Sequence, residues 1–306
     1  MTRVFLYEFT CAAPAESTDS AGAASLRAEG EAMLAAVLED FQRIPGVDAF
    51  TIRNARDEEA AFRQAARNAD WSLVIAPEFH GLLLTRCRWA LEAGSKLLGP
   101  SPDAVQFCAD KLALFRHWDR HGVRTPQTSP ADESLSEIRR GPYVQKPQFG
   151  AGSQDTFFID AIPRPVSETG PLIEQLFVPG FAGSVAFLIG SKQTIALQPA
   201  QQRLSTDGRF QYLGGRVPLV PEQANRAERV ARQAIDCVPG LFGYVGVDLV
   251  LGDDGRDWAI EINPRLTTSY VGLRRLAESN LAEAMLRLAE GRESPAIKWR
   301  PGPIDF

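Results

Sequence analysis

The stretch VDLVLGDDGRDWAIEINPR, residues 247–265, decides how the chain is read. Two apolar runs flank Asp254-Gly255, and each run carries one acid, Asp248 in the first and Glu261 in the second. An Asp-Gly pair between apolar strands signals a two-residue hairpin, because a type I′ turn needs positive φ at both central positions. With Asp254 and Gly255 as the turn, Leu251 faces Trp258, Val250 faces Ala259, Leu249 faces Ile260 and Asp248 faces Glu261. Side chains alternate between the two faces of a strand. Val247, Leu249, Leu251, Trp258, Ile260 and Ile262 then form a core face, and Asp248, Val250, Ala259, Glu261 and Asn263 share the other.

The two acids are thus expected as cross-strand neighbours, with Cβ atoms roughly 4.5–5.5 Å apart. Like charges so placed repel, and on a covered face one acid must take up a proton or a cation must sit between them. Two carboxylates and the Asn263 amide are hard oxygen ligands, suited to Mg²⁺, or Mn²⁺ in its place, with waters and phosphates as the remaining ligands. An EF-hand is excluded, since Val250 stands five residues before Gly255 where that loop needs an acid.

The 306 residues suffice for two or three units with a substantial core. A net charge of −5 argues against non-specific nucleic-acid binding, which needs a basic face. No apolar run approaches the roughly 20 residues that span a bilayer, so no membrane partner is expected. The N-terminal MTRVFLYEFT lacks the features of a signal peptide and reads as a strand. Four cysteines, Cys11, Cys87, Cys108 and Cys237, are scattered without a CxxC pair, which fits reduced thiols and a cytoplasmic protein. The motif HWDRH spaces His117 and His121 four apart, but it is not HExxH and no third ligand is near, so both read as ordinary helix residues.

Strand and helix patterns alternate over 1–100: a strand at 1–10, a polar loop at 11–22, a helix at 25–43, a strand at 48–53, a helix at 57–69, a strand at 71–77, a helix at 82–94 and a short strand in KLLG. The run WSLVIAP has the continuous apolarity of a strand buried on both faces. A small parallel-sheet α/β domain follows. One helix is expected from Asp103 to His121, then an extended VRTPQT linker. From 141 the pattern changes to strands: PYVQKP, DTFFID, PLIEQLF, GSVAFLIG, QTIALQPAQQRL and RFQYLGG, with helices at 221–236 and 278–290.

YVQKPQFGAGSQDTFFI, residues 143–159, places Lys146 on a strand ahead of Gly150, Ala151, Gly152 and Ser153. Such a turn can aim successive backbone N–H groups at phosphate oxygens. It is neither a P-loop nor a dinucleotide fingerprint. Lys111 in CADKLALFRHW is a weaker signal. In PLIEQLFVPG a strand breaks at proline and glycine beyond Glu174, a break that could offer backbone groups to an adenine edge or serve as a linker.

Together these segments resemble the ATP-grasp superfamily of carboxylate–amine ligases, with the match concentrated in 100–270. DK at 110–111 with HGVRTPQT, VQKPQFGAGS, IEQLFVPG and GVDLVL…WAIEINPR look like its lysine, phosphate-loop, adenine and metal segments. The resemblance implies an ATP-grasp fold: an N-terminal α/β pre-ATP-grasp domain over 1–100, a small lid subdomain with its preceding helix over 101–180 and a catalytic subdomain over 181–306. It implies that Lys111, Lys146 and the loop Gly150, Ala151, Gly152 and Ser153 hold ATP phosphates, that Glu174, Gln175, Leu176 and Phe177 line adenine, and that Asp248, Glu261 and Asn263 hold Mg²⁺. Two departures stand out. GFAGS after the hinge lacks the ribose-binding acid of many members, and Gly246 stands where many carry an arginine.

Arg265, just past Asn263, is the choice for stabilising the transferring phosphoryl, together with Lys146. Arg203 and Arg216 are candidates for gripping a substrate carboxylate, and Thr267, Thr268, Ser269 and Tyr270 form a polar loop suited to substrate recognition or to helix capping. VIAPEFHGLL, LLGPSPDAVQFCADK, FQYLGGRVP and INPRLTTSYVGL further resemble the tyramine–glutamate ligase group of methanofuran biosynthesis and its bacterial relatives. That resemblance implies an acyl-phosphate ligase taking a small carboxylate, glutamate first, and tyramine or a related amine, with a homodimer compatible. A ligase for another amino acid or amine, or a non-catalytic ATP-binding regulatory protein, are the alternatives.

Overall fold

The computed structural model describes residues 1–13, 21–131, 141–160 and 170–306. Its N-terminal sheet is parallel, with strands β1 (Thr2–Glu8), β2 (Val47–Thr51), β3 (Trp71–Ile75) and β4 (Lys96–Leu97) in the order β2-β1-β3-β4. All five residues of β3 are buried, as expected for a strand covered on both faces. On β1, Val4 and Leu6 pack toward helix α2 (Ala21–Gln42), against Leu34, Val37 and Phe41. Phe5 and Tyr7 point the other way, onto Phe62 of helix α3 (Glu58–Arg67) and Leu83 of helix α4 (Leu82–Glu92). Of the loop expected at 11–22, residues 14–20 lie outside the described residues. Cys11 and Ala12 belong instead to a helical turn, α1 (Phe9–Ala12), because the Glu8 carboxylate accepts from Cys11 N at 2.8 Å and caps it.

The single helix expected from Asp103 to His121 is two helices, α5 (Pro102–Ala109) and α6 (Lys111–Arg120). Asp110 between them is extended, and its carboxylate accepts from Leu112 N and Ala113 N at 3.1 and 3.0 Å. An Asp that caps a new helix competes with helix continuation, and apolar spacing alone does not reveal it. The break makes Lys111 the first residue of α6.

Beyond α6, a small antiparallel sheet has the order β5-β8-β6-β7, from β5 (Thr128–Pro130), β6 (Tyr143–Pro147), β7 (Phe157–Ile159) and β8 (Leu172–Leu176). The end of the expected VRTPQT linker is thus a strand, β5, paired with β8. The large sheet runs β14-β13-β9-β11-β12-β15, with β10 (Thr194–Ala196) beside β9 (Gly180–Ile189). Its other members are β11 (Ala200–Leu204), β12 (Tyr212–Val217), β13 (Gly243–Gly252), β14 (Asp257–Asn263) and β15 (Ile304–Asp305). QTIALQPAQQRL is two strands rather than one, parted by a stretch that includes Pro199, whose missing N–H cannot serve a ladder.

One face of the large sheet is covered by helix α7 (Pro221–Asp236), where Val230, Ala231 and Ala234 meet Val185, Val247 and Leu249. On the other, Leu188 and Tyr244 join α8 (Ser269–Leu276), α9 (Leu281–Ala289) and the N-terminal α2 in one continuous core. Arg274 grips the buried Asp40 of α2 at 2.7 Å and locks the two units together. Among the described residues, no helix is long and apolar enough to cross a membrane.

Candidate active site

The hairpin of β13 and β14 builds the floor of the site. Its loop holds three residues, Asp253, Asp254 and Gly255, rather than two, closed by Gly252 N donating to Arg256 O at 2.9 Å. Gly255 sits at φ 80°, the left-handed position that a three-residue loop assigns to glycine. The longer loop shifts the pairing by one, so that Leu251 faces Asp257 and Leu249 faces Ala259. A bulge at Ile260 then restores the register, and Asp248 faces Glu261 as expected. The correction reaches the faces: Ala259 joins Leu249 and Ile262 in the core, while Trp258 leaves it and lies under the Arg124 and Arg256 guanidinium groups.

Amide side chains orient the first acid. Asn263 Nδ2 donates to Asp248 Oδ2 at 2.9 Å, and Gln202 Nε2 donates to Asp248 Oδ1 at 2.8 Å. Gln202 reaches from β11 across β9, whose residues at these positions, Ala182 and Ser184, are small. Burial and the adjacent Glu261 both push the Asp248 pKa upward. Burial alone would raise Glu261 as well, but the Lys111 and Lys146 charges outweigh it and hold Glu261 below the usual range.

Lys111, at the start of α6, and Lys146, on β6, both converge on this pair. Lys111 Nζ donates to Gly150 O at 2.5 Å and stands 3.5 Å from Glu261 Oε2. Its backbone N donates to Gln148 O, and Gln148 Nε2 donates to Asp110 Oδ1, so the start of α6 is tied to the glycine loop. Lys146 on β6 is buried, which lowers its pKa to about 8; Glu261 works against that shift and Lys111 adds to it. In the loop, Gly152, Ser153 and Asp155 all have positive φ, a curled backbone of the kind that gathers N–H groups around an anion.

The ATP-grasp domain family matches residues 108–269, more than half of the chain, and the pre ATP-grasp 3 domain matches residues 33–105. The chain belongs to the ATP-grasp family. A tyramine–L-glutamate ligase of Methanocaldococcus fervens is 28% identical over 257 residues, 83% of this chain and 79% of that protein. The Methanocaldococcus jannaschii tyramine–L-glutamate ligase is also 28% identical, over 74% of this chain and 65% of its own length. An ATP-grasp superfamily protein from Archaeoglobus fulgidus superposes with a TM-score of 0.75 at 27% identity, over 97% of this chain and 90% of that one. Biotin carboxylase from Campylobacter jejuni, 15% identical, shares the fold with a TM-score of 0.72 over 99% of this chain and 74% of its own.

In this ATP-grasp chain the acid pair fits a hard cation. Among the described residues no group of three or more His, Cys, Asp and Glu side chains is placed to hold a metal ion. The site offers two facing carboxylates and one amide, a partial set that suits a cation keeping waters and phosphate oxygens.

Other sequence candidates fall in different surroundings. Arg265 donates Nε and Nη2 to the Glu78 carboxylate at 2.9 and 3.1 Å; Glu78 is buried and Arg265 largely so. Burial opposes the Arg265 charge, yet Glu78, with Glu261 and Asp248 nearby, keeps its pKa above the ordinary arginine value. At the hinge, Glu174 and Gln175 are buried, Leu176 N donates to Gln127 O and Phe177 N donates to Pro142 O. Those two backbone donors are therefore not the free groups expected for an adenine edge.

Tyr270 is fully buried, and its hydroxyl donates to Asp40 at 2.7 Å, so it is a core residue and not part of the recognition loop. The ring's size and the helical i, i+4 spacing to Arg274 put both side chains over Asp40. Thr267 and Ser269 share hydrogen bonds with the Tyr244 hydroxyl, and Thr268 Oγ1 donates to Glu29 of α2 at 3.2 Å. Neither the Thr268 nor the Ser269 side chain caps α8, so helix capping does not explain this cluster. Arg203 of β11 pairs with Asp305 of β15 at 2.9 Å, both side chains exposed, and Arg216 of β12 lies opposite Asp305.

Glu78 and Gln202 are the site residues that sequence reading missed. Glu78 follows the C-terminal end of a buried parallel strand, where ligands gather in open α/β sheets, and that position was its available signal. Gln202 had only its place among polar residues on a strand.

Proposed function

We propose that the chain uses ATP to phosphorylate a carboxylate and that an amine then attacks the acyl phosphate, giving an amide, ADP and phosphate. The observation that carries this reading is the convergence of Lys111, the Gly150 carbonyl and Glu261. It brings two lysines, a phosphate-type loop and an acid pair to one point between two sheets. Phosphoryl transfer asks mainly for in-line positioning and charge neutralisation, which these groups supply.

Asp248, Glu261 and Asn263 would hold Mg²⁺, with Asn263 using its amide oxygen. Bound there, Mg²⁺ would neutralise the β- and γ-phosphate oxygens of ATP. Lys146 and Lys111 hold phosphate oxygens. Arg265, kept rigid by Glu78, faces the charge that develops on the transferring phosphoryl and on the tetrahedral oxyanion. On this reading residues 1–100, 101–180 and 181–306 act as substrate-side domain, lid and catalytic subdomain. The relatives named as tyramine–L-glutamate ligases make glutamate and tyramine the first pair to try.

The test is a turnover assay with ATP, Mg²⁺, glutamate and a panel of amines. ADP release that requires both carboxylate and amine supports the ligase reading. ATP bound without turnover for any pair sinks it in favour of a non-catalytic nucleotide-binding protein.

A further inference from the structure

A cavity of about 320 Å³ opens between the N-terminal domain, α5 and the start of the glycine loop. Its walls are apolar: Leu84 of α4, Val105 and Ala109 of α5, Pro147 and Phe149. Phe149 is a large apolar side chain left exposed, at 43%. Pro147 follows Lys146 on β6, and successive side chains on a strand point to opposite faces, so the cavity is separate from the face that carries Lys146. It nonetheless borders the reacting centre, because Glu78 lines it and also holds Arg265.

Polar groups are few and asymmetric. Glu78 lies buried at the inner end, whereas His80 and Gln106 are exposed at the mouth. Among the described residues, no lysine or arginine lines the cavity. Each Glu78 oxygen accepts one hydrogen bond from Arg265, which leaves a second lone pair on each for an ammonium group. The rim is also strained in a way that loops at binding sites often are: His80 has φ 52° and Gly81 φ 65°, two consecutive left-handed residues. A mostly apolar cavity with a few convergent polar groups is the usual form of a small-molecule site, and its size lies within the common range.

We propose that this cavity takes the aromatic end of the amine co-substrate, an arylalkylamine, with its ammonium end turned to Glu78 and the reacting centre. The proposal rests on the ligase reading and names the substrate class for it. The ring lies among Leu84, Val105, Ala109, Pro147 and Phe149, and a ring hydroxyl reaches His80 and Gln106 at the mouth. Before attack, the ammonium gives one proton to water; the nitrogen lone pair then forms the C–N bond, the acyl C–O bond breaks with its electron pair going to the departing phosphate, and that phosphate takes the second nitrogen proton.

Two measurements test it. Tyramine is titrated into the nucleotide-free protein by calorimetry, and kcat/KM is compared for tyramine and ethylamine with ATP, Mg²⁺ and glutamate. Leu84→Trp fills the cavity and should lower the tyramine-to-ethylamine ratio by about tenfold or more, along with tyramine binding. Gln106→Trp, at an exposed position, serves the same purpose if Leu84→Trp does not fold. An unchanged ratio in a folded variant overturns the cavity assignment while leaving the ligase reading intact. Tyramine binding that the variants abolish, in a wild-type protein that turns over no carboxylate–amine pair, keeps the cavity and overturns the ligase reading. Neither binding nor turnover overturns both.

Discussion

Arg265 and Glu78 are joined by two hydrogen bonds, 2.9 and 3.1 Å long, between the end of the metal-type hairpin and the N-terminal sheet. Both side chains are largely withdrawn from water, so removing one strands the other. Arg265→Met should therefore cost about 3–5 kcal/mol of stability. The double variant Arg265→Met, Glu78→Leu should recover much of that loss, because a buried ion pair can be replaced by apolar groups at little cost. Turnover should stay lost in both. Denaturant unfolding with a turnover assay separates the two roles, and restored turnover in the double variant would reduce Arg265 to a strut.

Asp248 and Glu261 make a second test. In the metal-free protein the two acids repel each other and Asp248 is pushed toward its protonated form. Asp248→Asn removes that conflict while keeping the shape, and the Gln202 or Asn263 amide can turn over to accept from the new NH2, so the thermal midpoint should stay level or rise. Mg²⁺-dependent stabilisation and turnover should both vanish, a loss beyond the roughly 10–100-fold typical of residues behind a metal's ligands. Glu261→Gln should also lose turnover. Chelation of the wild type should do the same, reversibly. Wild-type activity in either variant would remove the metal assignment.

The acid pair was legible in the sequence because alternation carries over many residues, even though the turn was misjudged. A loop one residue longer and a bulge at Ile260 cancel, so Asp248 still meets Glu261. Ala259 and Trp258 lie between the loop and that bulge, and there the expected faces fail. The parallel order of the N-terminal sheet was readable from unbroken apolar runs such as WSLVI. Lys111 could be suspected but not placed, since its position depends on the break at Asp110. The partners of Glu78 and Tyr270 were out of reach, because Arg265 and Asp40 lie 187 and 230 residues away. Local pattern contains no term for contacts of that range.

Lys146 yields a pH prediction. Burial lowers its pKa to about 8 from an ordinary 10.5, so folding disfavours the charged form. Its contribution to stability is fully present above the unfolded value and is lost as pH falls through about 8. Lys146→Met should thus be more stable than wild type at pH 7 in the metal-free, nucleotide-free protein, with the gap closing as pH rises toward 10. ATP affinity should fall about tenfold or more in the same variant, because a charge-assisted phosphate contact is gone. Calorimetric titration and unfolding at several pH values read both effects. Undiminished ATP affinity would move the phosphates away from Lys146.

Gly246 of β13 stands opposite Asn263, at the position where the ATP-grasp resemblance implies an arginine. A Cβ built there would lie 2.7 Å from Thr267 Cγ2, closer than real carbon atoms come. Thr267 is in turn held by hydrogen bonds to Tyr244 and Ser269, so it yields only at a cost. Gly246→Ala should therefore destabilise the protein by about 1–3 kcal/mol through overpacking. Thr267→Ser removes the clashing methyl and keeps the hydroxyl, so Gly246→Ala should be nearly neutral in that background. The two single variants and the pair form a double-mutant cycle, read by denaturant unfolding. Simple additivity would mean that Thr267 does not set the space at Gly246. Strong coupling would show that the side chain on the loop after β14 excludes an arginine from this strand, leaving Arg265 to supply the charge from the other side of the hairpin's end.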